Sequence, residues 1–443
     1  MDDAKTSRPV PRLQLPERDQ MKFRAANLEE LVCQDHPVRA VWEYVLQADL
    51  SALYEAIRAV EGAPGRPPID PRILLALWLY ATLDGVGSAR ELDRLTREHQ
   101  VYQWICGDVS VNDHTLADFR VEHPELLERL LIRGVAALTS QKLVRMKRVA
   151  QDGVRVRASA GAASFRREKT LREHLAEAEE QLRHLADELH EDTQASSRRQ
   201  KAAKERAARE RESRVAEALR QLEKLQQIKP KKKKPRTSEK QTEQKPGASV
   251  PEKEKEPRAS ETDPDARVMK MADGGFRPAF NVQFATDVET QIIVGVDVTN
   301  VGSDMGQMPP MVDQLLKNYG RAPTDILVDG GFTSNKSIDA VTSPPYGCTV
   351  FGPVQKPKDP IRNPHLPLPE DSPAVATWRR PMGTELAKAI YRLRGQSAEC
   401  VNALARNRGL TRFLVRGLRK VRAIALWFAL AHNVNRTAAL SQA

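Results

Sequence analysis

Three carboxylates sit in local contexts from which they could reach a single point: Asp152, Asp329 and Glu399. Asp152 lies in the stretch Arg148 to Arg157, where Val154 and Val156 alternate with Arg155 and Arg157 at the period of a strand. Asp329 ends the run Asp325-Ile326-Leu327-Val328 and precedes Gly330-Gly331. It therefore stands at the carboxyl end of a short buried strand, where open α/β sheets present ligand groups. Glu399 belongs to a helix expected over 384–406, in which Leu386, Ile390, Leu393, Val401 and Leu404 recur at helical spacing. Neighbouring carboxylates repel one another and take up protons unless a cation neutralises them. Their hard oxygens favour Mg²⁺, with Mn²⁺ able to substitute, over zinc. Two such ions about 3.5–4 Å apart can activate a water or a 3′-hydroxyl and stabilise the leaving oxygen of an in-line displacement at phosphorus.

The elements that must hold these acids are spread over 443 residues, enough for two or three domains. The chain carries 70 Lys and Arg against 59 Asp and Glu, a net charge of +11 that favours a polyanionic partner. Cys33, Cys106, Cys348 and Cys400 form no CxxC pair, which points to a reducing compartment and excludes a Cys-based zinc site. The opening Met1-Asp2-Asp3-Ala4-Lys5 lacks a signal-peptide apolar stretch, and the apolar run Ala423 to Ala431 is too short to span a bilayer. The expectation is a cytoplasmic, nucleoid-associated protein with no membrane contact.

Residues 28–138 read as helices with short connections. Asp70 and Pro71 form a well-built helix start, Gly85-Val86-Gly87-Ser88 breaks the chain, and a second helix over 89–99 carries Arg90, Arg94 and Arg97 on its outer face. Helix, short glycine turn and basic helix suit helix-turn-helix DNA binding and equally a plain helical pair. Asn112 caps a further helix. His114 in its first turn is expected to be structural rather than catalytic. From Leu171 to Leu189 a heptad seam of Leu171, Leu175, Ala178, Leu182 and Leu185 begins a charged helix, and a second helix runs to about 228. The two could pair with each other or with another subunit. Lys231 and Lys232 open a lysine run that could touch DNA phosphates, at the head of a Lys/Glu/Pro-rich stretch to about 265 that is expected to be a disordered linker.

Strand signals return at 280–286 and 291–298 as a hairpin, followed by a helix over 309–319, the Asp329 strand and a strand at 348–352. Strand, insertion, hairpin, helix, strand and a late helix bearing a glutamate is the element order of a ribonuclease H-like core. The expected fold is α/β: a ribonuclease H-like catalytic core with a helical insertion, preceded by an all-α DNA-binding domain. Its expected parts are a flexible arm over 1–27, the helical domain over 28–140, the first part of the core over 141–165, a coiled-coil insertion and linker over 166–265, and the remainder of the core over 266–443.

The same order, with its local words, resembles the DDE transposases of bacterial insertion sequences. The stretch Gly65 to Pro71, Leu83 to Leu92, and Asp113-His114-Thr115-Leu116 with Phe119-Arg120 are similar to the helical domain that precedes the core in one large group of them. Asp152-Gly153, Asn281-Val282-Gln283, Asp329-Gly330-Gly331-Phe332, Glu399, Arg406 to Leu410, Val415 to Leu418 and Ala431-His432-Asn433 resemble the core and its closing run. The resemblance implies that Asp152, Asp329 and Glu399 are the metal-binding catalytic acids. It also implies binding of double-stranded DNA at transposon ends and target, strand cleavage followed by strand transfer, and a homodimer on DNA.

Relatives place a Tyr and an Arg seven and four residues before the glutamate and a basic residue seven after it. Here those positions hold Arg392, Gly395 and Arg406, and Tyr391 and Arg394 are each off by one. In an unbroken α-helix seven residues advance by about 700°, within about 20° of whole turns, so Arg392, Glu399 and Arg406 are expected on one face. Arg392 and Arg406 would then hold DNA phosphates, with Tyr391 more peripheral. Asp297, Asp304 and Asp325 are rival acids near the sheet; Asp325 starts the strand that Asp329 ends, roughly 13 Å away. Two other functions share these features: a ribonuclease H-like nuclease without joining activity, and a DNA-binding protein with a decayed site.

Overall fold

The computed structural model describes residues 27–59, 67–191, 195–227, 256–355, 357 and 361–441. The expected N-terminal arm, up to residue 26, lies outside the described residues, as do Lys231 and Lys232.

Seven helices come first: α1 Pro37–Gln47, α2 Ser51–Glu55, α3 Pro71–Leu83, α4 Ala89–Glu98, α5 Gln100–Cys106, α6 Asp113–Glu122 and α7 Pro124–Ser140. All but α2 and α7 start on a side-chain cap. The Asp70 carboxylate accepts from the Arg72 amide at 2.8 Å and Asn112 accepts from the Thr115 amide at 2.9 Å, each satisfying an amide the helix leaves open. α3 is apolar on nearly every face and buried from Ile73 to Leu79, so it is the centre of the helical layer rather than a surface helix.

The sheet contains β1 Arg148–Arg157, β4 Arg267–Lys270, β5 Phe276–Asp287, β6 Ile293–Thr299, β7 Asp325–Leu327 and β8 Thr349–Phe351, while β2 Phe165–Arg166 pairs with β3 Ala259–Ser260 in a separate ribbon. β5 lies between β6 and β1 and is antiparallel to both, whereas β1, β7 and β8 run parallel. The order β6-β5-β1-β7-β8, with three antiparallel strands followed by two parallel ones, is the ribonuclease H-like sheet expected from the sequence. Between β2 and β3 the chain inserts α8 Glu168–Glu191 and α9 Ala195–Gln227. These pack on each other within the chain, Leu171 and Leu175 against Val215, Ala218, Leu219 and Leu222.

The remaining helices are α10 Met308–Tyr319, α11 Asn335–Thr342, α12 Pro373–Arg379, α13 Glu385–Arg394, α14 Cys400–Asn407 and α15 Leu418–Ser441. α15 ties the two layers together, because it packs on β6 on one side and on α3 and α7 on the other within one continuous core. The Asn433 side-chain amide donates to the Ile293 carbonyl and accepts from its amide, both at 2.8 Å, copying a strand neighbour at the start of β6. His432 Nε2 lies 2.8 Å from the Gln291 carbonyl, and burial pulls its pKa down to about 4.

Two expectations need correction. The stretch 256–265 is structured, with Ala259, Ser260 and Asp263 fully buried. Its polar residues are hydrogen-bond partners rather than solvated linker: Asp263 accepts from the Gly417 amide and Asp265 from the Leu418 amide at 2.9 Å, which satisfies open amides at the start of α15. The helix expected over 384–406 is not uniform either. Between α13 and α14, residues Gly395–Glu399 form a π turn, in which amides reach back five residues instead of four.

Candidate catalytic site

Strand register brings the first two acids together. Arg148 pairs with Asp325 and Ala150 with Leu327 in the parallel β1–β7 ladder, so continuing two residues sets Asp152 opposite Asp329 on neighbouring chains. Adjacent strands lie about 4.8 Å apart. Asp329 is fixed by a turn: its Oδ1 accepts from the Gly331 amide at 2.7 Å. A Cβ on Gly331 would stand 2.9 Å from that oxygen, so residue 331 must be small. Asp152 Oδ1 accepts from the Gly153 amide and its Oδ2 from the Asn402 side-chain amide, each at 3.0 Å.

Glu399 ends the π turn and its side chain is 54% exposed. It is linked to Asp152 through Arg394, whose Nη2 lies 2.8 Å from Glu399 Oε1 and whose Nη1 lies 3.3 Å from Asp152 Oδ2. The Arg394 side chain is only 10% exposed, and its guanidinium sits 6.0 Å from the centre of the Tyr391 ring. Ser397, fully buried, donates its hydroxyl to the Leu393 carbonyl at 2.8 Å, a bond that draws on the helix's own acceptors where the turn widens.

Helical phase therefore differs from the expectation. The π turn adds one residue between Arg394 and Glu399, so a spacing of five acts as four and a spacing of eight as seven. Arg394 is joined to Glu399. Arg392 is instead 71% exposed and lies 4.0 Å from Glu385. Arg406, in the last turn of α14, is exposed.

Burial is the main force on Asp152 and pushes its pKa up. The Arg394 charge opposes that shift, the neighbouring Asp329 charge adds to it, and the bonds from Gly153 and Asn402 oppose it. Two adjacent carboxylates with hard oxygen donors suit a divalent cation in chemistry. Among the described residues no group of three or more His, Cys, Asp or Glu is disposed to hold a metal ion.

The rival acids have partners of their own, although Asp304 lies beside Gly153 and Gly331 next to the site. Asp325 pairs with Arg148 at 2.9 Å, and Asp297 accepts from the Val298 amide. Asp304 accepts from Asn281 at 2.7 Å, from Gln283 at 2.8 Å and from Arg155 at 3.4 Å. Gly153 makes room for this network, since a Cβ there would meet Asp304 and Gln283 at 2.4 Å. Sequence reasoning missed Asn402, although its place three residues after Glu399 on a helix puts the two on one face.

The arginines of α4 are not unengaged. Arg94 bonds Glu91 and Glu98, Arg97 bonds Asp93, and Arg90 lies 3.6 Å from Asp113. The helical pair does touch the site's own helix: the turn between α3 and α4 meets the loop after α14 backbone to backbone. Gly85 and Gly409 both hold positive φ there, and a Cβ on Gly409 would lie 3.4 Å from the Gly85 carbonyl. A cavity of about 850 Å³ lies among α1, α7 and α15 and is lined by none of the three acids. Among the described residues no helix is long and apolar enough to cross a membrane.

Comparison with known proteins gives two family matches. Residues 246–434 match the family described as Transposase DDE domain, and residues 26–122 match the one described as Transposase domain (DUF772). The first segment contains Asp329 and Glu399; Asp152 falls in neither, because the α8–α9 insertion separates β1 from the rest of the sheet. Neither curated proteins nor solved structures gave a match.

Proposed function

The chain belongs to the DDE transposases of insertion sequences, and from that premise we propose that it binds the terminal inverted repeats of its element, cleaves a strand at each end and transfers the freed 3′-hydroxyl to target DNA. Enzymes of this family act on DNA and generally use a divalent metal. The observation that supports the reading best is the β1–β7 register, which sets Asp152 opposite Asp329 while Arg394 links Asp152 to Glu399.

In this proposal Asp152, Asp329 and Glu399 are the ligands of Mg²⁺, for which Mn²⁺ can substitute. Such ions, when bound, supply an activated water or 3′-hydroxyl and neutralise charge on the leaving oxygen. The chain's own residues do the positioning. The Asn402 amide and the Gly153 N–H aim the Asp152 carboxylate, and the Gly331 N–H aims that of Asp329. Arg406, exposed on the helix after Glu399, is placed to hold a backbone phosphate, and Arg90, Arg94 and Arg97 on α4 exchange their carboxylate partners for phosphates of the transposon end. Arg392 is a phosphate ligand only beyond the acids, on the Glu385 side of α13. Lys231 and Lys232 add sequence-independent attraction. Joining two ends in one complex calls for a homodimer on DNA, in the cytoplasm at the nucleoid.

The test is acid substitution. D152N, D329N and E399Q should each lower Mg²⁺-dependent nicking of end DNA by at least about 10³-fold while DNA binding persists. Cleavage at the wild-type rate by D329N would remove the site from this account.

A further inference from the structure

Arg394 occupies the place where a cation is needed. It bridges Asp152 and Glu399, lying within 3.3 Å of the first and 2.8 Å of the second, and it is 9% exposed. Its Nε and Nη1 make no hydrogen bond, although Nη1 is in ion-pair range of Asp152. A buried guanidinium normally satisfies its donors. Burial opposes the charged form of Arg394, and the charge of Asp152 and the Tyr391 side chain both favour it. The π turn serves that placement, because without its extra residue Arg394 would turn by about 100° away from Glu399.

We propose that Arg394 is a displaceable internal counter-ion that holds Asp152 and Glu399 before metal arrives, and that metal loading expels it. The inference rests on those acids being metal ligands. A divalent ion bound by the same carboxylates would stand within a few ångströms of the guanidinium, on the largely buried Asp152 side of the site where screening is weak. The two cations then exclude each other, so Arg394 lowers metal affinity in the free protein and keeps the carboxylates from repelling one another apart. This accounts for two acids, Asp152 and Glu399, that are linked through an arginine, while no group of three or more His, Cys, Asp or Glu among the described residues is disposed to hold a metal ion. It also gives the long arginine side chain two positions, one between the acids and one outside them.

The experiment is Mn²⁺ binding to the full chain without DNA, followed by calorimetry or by the loss of the free-ion paramagnetic resonance signal. R394Q should bind about tenfold more tightly than the wild type, the scale on which neighbours of metal ligands act. R394K, which keeps the charge, should stay near the wild type. Equal or weaker binding by R394Q, with D329N losing binding, would overturn the counter-ion role and leave the acids as ligands. Wild-type binding by both D152N and D329N would overturn the ligand assignment and this inference with it. Should R394Q fail to fold, the arginine Nε resonances of the wild type decide. One buried signal should move with the Mg²⁺ binding curve, and no movement through saturation would contradict displacement.

Discussion

Two arginine-bearing helices show how little an arginine's presence says about its task. On α4, Arg94 bonds Glu91 and Glu98 with all three side chains about half exposed. On α13, Arg394 bonds Asp152 and Glu399 while almost wholly buried. The arginine favours the charged carboxylate in both places, and burial decides the net outcome. The hydrogen bond from Arg94 holds the exposed Glu91 carboxyl below its ordinary range. Asp152 is pushed above its ordinary range because burial outweighs the charge of Arg394. Exposed pairs contribute little net stability and are screened by salt, so α4 can give up its internal partners to a phosphate at small cost. A buried pair is committed until another cation replaces it.

The largest break in this comparison would come from removing the π turn. Deleting Gln396, an exposed residue within it, should restore plain helical phase and turn Arg394 and Tyr391 away from Glu399. Metal-dependent cleavage is expected to fall about 10²-fold or more, the usual result of misplacing a site group by an ångström or so. Circular dichroism should show the fold intact; cleavage at the wild-type rate would mean that the phase of Arg394 is irrelevant.

A second contrast concerns pH. The ordinary aspartate value is 3.8, and Asp152 in the folded chain lies above it, chiefly through burial. Its contribution to stability is thus present below that ordinary value and lost as pH rises through the folded pKa. Metal must bind the ionised form, so stabilisation by Mg²⁺ should grow across the same window, starting above the ordinary aspartate range. Melting temperatures with and without Mg²⁺ between about pH 4 and pH 7 would check this, D152N serving as the flat control. A dependence that follows the ordinary aspartate range would contradict the burial of Asp152.

The smallest effect belongs to α4. R94A should leave the melting temperature unchanged and reduce the slope of log affinity for end DNA against log salt by about 1, one phosphate contact. An unchanged slope would leave Arg94 with its carboxylate partners in the complex.

Much of the site was legible because it depends on strand geometry. Alternation around Asp152 and the apolar run before Asp329 fix two strand positions, and parallel pairing does the rest. The caps at Asp70 and Asn112 were equally readable, since a cap is a local device. The phase of Arg394 was not, because projection around a helix assumes bonds that reach back four residues throughout. Gly395 and Ser397 were the cue: a residue without a side chain beside a hydroxyl that bonds back into the helix. The stretch 256–265 misled for a different reason. Asp263 and Asp265 look like solvated charge in sequence and are partners of the amides that open α15. Composition counts polar groups but does not say which amides they meet.

The most direct test of the account is a joining reaction. The full chain, Mg²⁺ and DNA carrying the sequences that flank its coding region should yield element 3′ ends covalently joined to target DNA, detected by sequencing the junctions. D329N should yield none. Cleaved ends with no joined product, from wild-type protein that binds the DNA and nicks it, would contradict strand transfer and leave a nuclease in its place.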